Sequence, residues 1–307
     1  MFVSPAFPQV VPAYGWTKVG AFARYEEGYG GAYIVVFPNK TRLFFTDSSP
    51  AVLEWIIVDK QEDIVRLNVS FLISDVATVY YPEENGTELP SVSKNITYTK
   101  TLFVDVNVYT RESFLNGEQI GKTCFWAEPY AMPNDTVTVT APPSDLITGE
   151  VWYTSTITRF GKEIKIYGVV VYQLDPYASG NYVFDWHTGV NLQLTIFGYL
   201  PKMASGKQRL PREITLRNGT KYTITSEATM LLGEKLGMEG EYVFDMVDTN
   251  INLGSEALTE PTDNQTETTG NIGIWKYYPF LFVAVFTASA TAFIIFRRKK
   301  LKHHTKT

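Results

Sequence analysis

The feature that most constrains this chain is a run of twenty uncharged residues, Tyr277–Phe296, near its C-terminus. A helix of twenty residues spans about 30 Å, the thickness of a bilayer core. Trp275 and Tyr278 flank one end, and aromatic rings of this kind favour the headgroup layer. A buried helix in a soluble core is the alternative, but such helices are rarely this long without a charge. We therefore expect residues 275–296 to form one transmembrane helix.

The basic tail at residues 297–307 predicts the orientation of this helix. It holds six Lys and Arg residues and no acidic residue, and the first four directly follow the apolar run: Arg297, Arg298, Lys299 and Lys300. By the positive-inside rule the tail is cytoplasmic, and the preceding residues lie outside the cell membrane. The reverse topology, with a cytoplasmic N-terminal domain on a tail anchor, is the alternative. In either orientation the lipid bilayer is the expected partner of the apolar helix.

The other 296 residues hold 21 basic and 32 acidic residues, a net charge of −11. This balance argues against a nucleic-acid partner, because phosphate contacts need a basic surface. Residues 1–15 should carry the export signal but form a poor or truncated one, since they lack a basic residue and prolines interrupt their apolar run.

Seven Asn-x-Ser/Thr sequons support an extracellular location, because they are acceptors for N-glycosylation. Chance placement of the 14 asparagines and the 49 serines and threonines among 307 residues would give about two. An accidental excess in a threonine-rich β-protein is the alternative. The predicted glycosylation sites are Asn39, Asn68, Asn85, Asn95, Asn134, Asn218 and Asn264.

Residues 254–274 contain four acidic residues and no basic or aromatic residue. Such a composition cannot bury enough apolar surface to fold, so we expect a flexible stalk. Between residues 16 and 253 short apolar segments alternate with turn residues. In Ile64–Ile73, for example, Val65, Leu67 and Val69 share one face of the predicted strand, and the Asn68 sequon lies on the other.

The extracellular domain, residues 16–253, is therefore predicted to be all-β, either an antiparallel curved sheet or a sandwich. We expect hairpins in which Ala32–Phe37 pairs with Arg42–Thr46, and Leu53–Asp59 with Ile64–Ile73. Another predicted strand is Thr123–Trp126, and the one predicted helix is Glu227–Leu236. One continuous sheet is favoured over two domains that meet near residues 141–150.

Few residues suggest a catalytic, metal-binding or cofactor-binding site. Asp185 and His187 could form an acid–base pair, but the sequence DWHTG, which ends at Gly189, is more typical of a tight turn between strands. Cys124, the sole cysteine, lies in a strand-like context typical of a buried, inert thiol. The Gly28–Gly31 segment is predicted to be a hairpin tip that joins Phe22–Tyr25 to the next strand. No spacing indicates a metal ion or another cofactor.

Three short patterns resemble those of uncharacterised archaeal exported proteins that are β-rich and have one C-terminal membrane anchor. They are Trp16–Tyr25, Asn134–Val139 and Tyr182–Gly189. The resemblance covers about residues 16–200 in pattern and implies a cell-surface location and a large curved β-sheet. It implies no particular activity.

We therefore expect a non-enzymatic, single-pass membrane protein of the cell surface that binds other envelope proteins or has a structural role. A carrier with a β-lined cavity for a lipid or hydrophobic ligand is the first alternative, and an extracellular hydrolase is the second. In the span, Ala284, Ala288 and Ala292 recur every four residues, a spacing that would allow a weak transmembrane homodimer. Because their neighbours are also small, the spacing alone does not establish this contact.

Overall fold

The computed structural model describes residues 14–27, 33–45, 51–81, 91–144, 146–171, 181–198, 212–215, 219, 221–224 and 230–254. Residues 1–13 of the predicted export signal, nearly all of the predicted stalk, and the predicted transmembrane helix and basic tail lie outside these residues. Within the described part of the chain, no helix is long and apolar enough to cross a membrane.

The described residues form β-strands and one short helix, so the predicted all-β class is confirmed. In chain order the strands are β1 (Phe22–Glu27), β2 (Tyr33–Val36), β3 (Arg42–Phe45), β4 (Val52–Gln61), β5 (Ile64–Tyr80), β6 (Val92–Asn107), β7 (Glu112–Leu115), β8 (Glu118–Lys122), β9 (Thr136–Thr140), β10 (Ile147–Arg159), β11 (Lys162–Val171), β12 (Asn181–Asp185), β13 (Asn191–Phe197), β14 (Arg212–Thr215), β15 (Lys221–Ile224), β16 (Met238–Glu239) and β17 (Glu241–Thr249). Helix α1 (Leu231–Lys235) lies between β15 and β16.

Fifteen of these strands form one antiparallel sheet, and β14 and β15 form a separate hairpin. The main order is β16-β2-β3-β5-β4-β1-β17-β13-β12-β11-β10-β9, and β6, β7 and β8 branch from β5. The sheet continues across residues 141–150, because β9, which ends just before that segment, pairs with β10, which begins within it.

The curled sheet is almost closed on itself. Strand β16 pairs with β2, and β17, which follows it after Gly240, pairs with β1 and β13. The Tyr242 hydroxyl on β17 donates to the Ile34 carbonyl on β2 at 2.7 Å and accepts from its N–H at 3.1 Å. One side chain thereby satisfies two backbone groups that a sheet edge would otherwise expose.

The interior is filled by the inward faces of the strands. In β5, Val65, Leu67, Val69 and Phe71 are fully buried, as the alternation predicted. Trp55 and Trp126 are also fully buried and pack edge to face, with ring centroids 6.2 Å apart. A filled interior of this kind contributes to stability in proportion to the apolar area that it removes from water.

The hairpins β2–β3 and β4–β5 are confirmed, but two local predictions differ from the structure. The predicted β1–β2 hairpin is wrong, because β1 pairs with β4 and β17. Thr123–Trp126 is not a strand and makes only an isolated bridge between Trp126 and Val190. The predicted helix Glu227–Leu236 is confirmed at Leu231–Lys235, and residues 227–229 of that prediction lie outside the described residues.

Candidate binding surface

Strand β6 has a long edge that no described strand covers. Along its whole length β6 pairs with β5, but its opposite edge pairs with β7 only at Val104–Val106. Residues 92–103, which would extend about 40 Å, therefore present unpaired backbone on that side within the described fold. An edge of this length is a template for another strand.

The residues along this edge are mostly exposed and carry positive charge. Lys94 and Lys100 are exposed, and the segment 92–103 contains no acidic residue. Lysines at an edge oppose pairing between identical positively charged strands, and they favour a partner strand with acidic side chains. The edge therefore favours a partner strand that is acidic as well as extended.

Tyr98 fixes this strand to the core. Its hydroxyl donates to the Leu236 carbonyl at 2.8 Å, and its ring packs edge to face against Phe37 and Phe71. Burial raises the pKa of its hydroxyl, which therefore stays a neutral donor at physiological pH. The edge is consequently held in an extended form before any partner arrives.

The outer face beside this edge carries a row of side chains that crosses four strands. Asn68 on β5 lies opposite Phe103 on β6 and opposite Ile56 on β4, and Ile56 lies opposite Phe22 on β1. We call these four residues the Asn68 row. Asn68 is its only polar member, and Phe103 is 56% exposed.

A surface depression of about 330 Å³ adjoins this row, lined by Arg66, Phe103, Asp105 and Asn116. Arg66 donates two hydrogen bonds to the Asp105 carboxylate, of 2.7 and 3.0 Å, and this pair raises the pKa of the Arg66 guanidinium. An aromatic ring beside a fixed ion pair presents both an apolar face and hydrogen-bonding groups to a polar ligand.

Four of the seven predicted glycosylation sites lie in described residues. Asn39 is in the β2–β3 turn, Asn95 is on β6, and Asn134 precedes β9; all three are exposed. Asn68 is half-buried in the outer face of the sheet. The other three sites, Asn85, Asn218 and Asn264, lie outside the described residues, as do Arg297, Arg298, Lys299 and Lys300.

The DWHTG segment forms the predicted turn. The fully buried Asp185 carboxylate accepts hydrogen bonds from the Thr188 N–H and hydroxyl, at 2.7 and 2.6 Å, and from the Gly254 N–H at 2.9 Å. Gly189 ends the turn with a positive φ of 71°. His187 packs edge to face against Trp186. Among the described residues, its buried Nδ1 has no hydrogen-bond partner.

The Cys124 thiol is buried, and burial raises its pKa to about 12. The crevice beside it has room for only about 20 Å³, which is about one water molecule. A crevice of this size cannot hold a lipid chain.

No sequence pattern predicted a structural role for Arg111, which is buried. Its guanidinium donates to the carbonyls of Thr123, Trp126 and Thr138 and to the Glu128 carboxylate. These contacts join the segment after β8 to β9. Nothing in the local sequence indicates this role. The same is true of the depression, whose residues come from two strands, β5 and β6, and from the turn between β7 and β8.

In the described part of the chain, no three His, Cys, Asp or Glu side chains are placed to hold a metal ion. The chain matches no protein-family model, and no curated protein is significantly similar to it in sequence.

Proposed function

We propose that this protein is a glycosylated, single-pass cell-surface protein that binds a neighbouring envelope protein without catalysis. The observation that carries the proposal is the uncovered edge of β6 at residues 92–103. The predicted transmembrane helix and basic tail support the membrane anchor, and the excess of sequons supports the extracellular location.

Binding by this edge would be strand addition, in which a partner strand completes the hydrogen bonds of an open sheet. The partner would present an extended segment with acidic side chains towards Lys94 and Lys100. Backbone hydrogen bonds would supply affinity, and the charge pattern would supply selectivity. Because β6 is already held in place by Tyr98, little ordering of the receptor edge would oppose binding.

The partner can be sought with a photo-crosslinking residue at Thr99 in the full-length protein in intact cells. Glu54 is a matched control, because β4 is paired on both sides at that position. We expect Thr99, but not Glu54, to crosslink to one other envelope protein. A crosslink to a second copy of the chain would assign the edge to self-association, and equal labelling at both positions would refute edge binding.

The orientation of the chain in the membrane is tested separately, by proteolysis. Protease added to intact cells should digest the β-domain and leave the span and the tail with the membrane. Full protection of the domain in intact cells, with digestion after lysis, would overturn the proposed extracellular location.

A further inference from the structure

The Asn68 sequon differs from the other three described sequons in its surroundings. Asn39 and Asn134 lie at turns, and Asn95 lies on the strand with the open edge. Asn68 lies instead in the middle of the sheet, with a paired strand on each side. A sugar attached to its Nδ2 would therefore start directly above the outer face of β4, β5 and β6.

Contacts within the described fold do not account for the presence of a polar side chain at Asn68. Its Oδ1 atom is buried and has no hydrogen-bond partner. Leaving a buried amide oxygen unpaired costs about 1–3 kcal/mol. An apolar residue would suit this place in the row better, unless the amide serves something outside the chain's own packing.

The side chains around Asn68 offer an attached sugar an aromatic ring and hydrogen-bonding groups. The Phe103 side chain is directly opposite, at a Cβ–Cβ separation typical of cross-strand pairs, about 5 Å. Arg66 is two residues away on the same face, about 7 Å along the strand. The depression formed by Phe103 and the Arg66–Asp105 pair therefore begins within the reach of the first sugar units.

We propose that a glycan attached to Asn68 folds back onto Phe103 and into the depression beside Arg66 and Asp105, and so covers the Phe103 end of the Asn68 row. The C–H face of the first sugar packs on the exposed ring, and hydroxyl groups of the following unit bond to the ion pair. This inference rests on the proposed extracellular location, where glycosylation takes place.

The attachment needs a lipid-phosphate-linked oligosaccharide as donor. A bond forms between Asn68 Nδ2 and the anomeric carbon of the donor sugar, and the bond from that carbon to the phosphate oxygen breaks. Nδ2 loses one proton, and the lipid phosphate leaves as the anion.

Ser70 offers a matched pair of variants. Ser70→Ala destroys the sequon and leaves Asn68 in place, whereas Ser70→Thr retains the sequon. Full-length wild-type protein and both variants should be purified from a glycosylating host, and the Asn68 peptide should be examined by mass spectrometry. Phe103 should then be probed by hydroxyl-radical oxidation, with exposed Trp152 as an internal reference.

Stacking covers one of the two faces of a ring, so we expect Phe103 oxidation to rise about twofold in Ser70→Ala and to stay at the wild-type level in Ser70→Thr. In the Ser70→Thr background, Phe103→Ala should lower the melting temperature by about 2–4 °C more than in the Ser70→Ala background. The oxidation measurement needs no variant of Phe103 itself.

Equal oxidation of Phe103 in the two variants, with Asn68 occupied in Ser70→Thr, would overturn the packing. An unmodified Asn68 beside occupied Asn39 or Asn95 would overturn this inference alone. Absence of sugar at every sequon, together with protection of the domain from protease in intact cells, would overturn the proposed location as well.

Discussion

Arg111 provides the strongest test of how the fold is held together. It lies between β6 and β7 with a positive φ of 62°, and its side chain is fully buried. Nη1 donates to the carbonyls of Trp126 at 3.0 Å and Thr123 at 3.4 Å, and Nη2 donates to the carbonyl of Thr138. Three backbone carbonyls from two segments thus depend on one guanidinium.

Replacement of Arg111 by Ala would remove these donors and leave a cavity. At about 1–3 kcal/mol for each buried group left unpaired, and with some relief from the cost of burying a charge, we expect a loss of about 3–5 kcal/mol in the free energy of unfolding. Arg111→Lys keeps the charge but lacks the planar fork, so it should lose about 2 kcal/mol.

Glu128→Gln is the matched control. Glu128 accepts from Nη2 at 3.1 Å, but half of its side chain is exposed. Solvent screens such a pair, so the control should cost less than about 1 kcal/mol. Urea titration of the full-length protein in mild detergent, followed by tryptophan fluorescence, measures all three variants. A loss below 1 kcal/mol for Arg111→Ala, or an equal loss for Glu128→Gln, would refute the reasoning.

Three further predictions concern the turn, the thiol and alkaline pH. Gly189→Ala should lower the free energy of unfolding by more than about 2 kcal/mol, because its Cβ would lie 2.1 Å from the Ala127 carbonyl oxygen. Gly20→Ala shares the positive φ but meets no atom within 4 Å, so the same denaturation assay should show a loss of about 1 kcal/mol; equal losses would contradict the steric argument. Cys124 should react with a disulfide reagent at pH 8 only after urea is added, and rapid labelling of the folded protein would show that the thiol is accessible. The raised pKa values of Cys124 and buried Tyr25 favour the protonated forms in the folded state. Their stabilising contribution is therefore complete below the unfolded pKa values, about 9 for the thiol and 10 for the phenol, and declines above them by about 1.4 kcal/mol per pH unit for each group. Urea midpoints that do not fall between pH 9 and pH 11 would contradict this prediction.

Much of the local structure follows from short segments of the sequence. The alternation in β5 correctly predicts that Val65, Leu67 and Val69 face the core and that Asn68 faces outwards. The Asp185 turn is also local, because two of the three hydrogen bonds that its carboxylate accepts come from Thr188, three residues away. Period-two patterning and turn chemistry depend on neighbouring residues, so one sequence suffices to recognise them.

The candidate surface could be predicted only in part. The Asn68 sequon is visible in three residues, but Phe103 is 35 residues further along the chain, and its position opposite Asn68 depends on the register between β5 and β6. The open edge of β6 also depends on which strands find partners. Arg111 likewise becomes important only when β9 is brought beside it.

Short-range patterns in the amino-acid sequence are enough to predict that this domain consists of strands with one buried face, and they also predict the charge boundary at the end of the apolar C-terminal run. The position of β1 between β4 and β17, instead of beside β2, emerges only in the assembled fold. Alternation specifies which face of a strand is buried, but it does not specify which strand pairs with it. That choice depends on the combined free energy of packing, hydrogen bonding and loop closure over more than 200 residues.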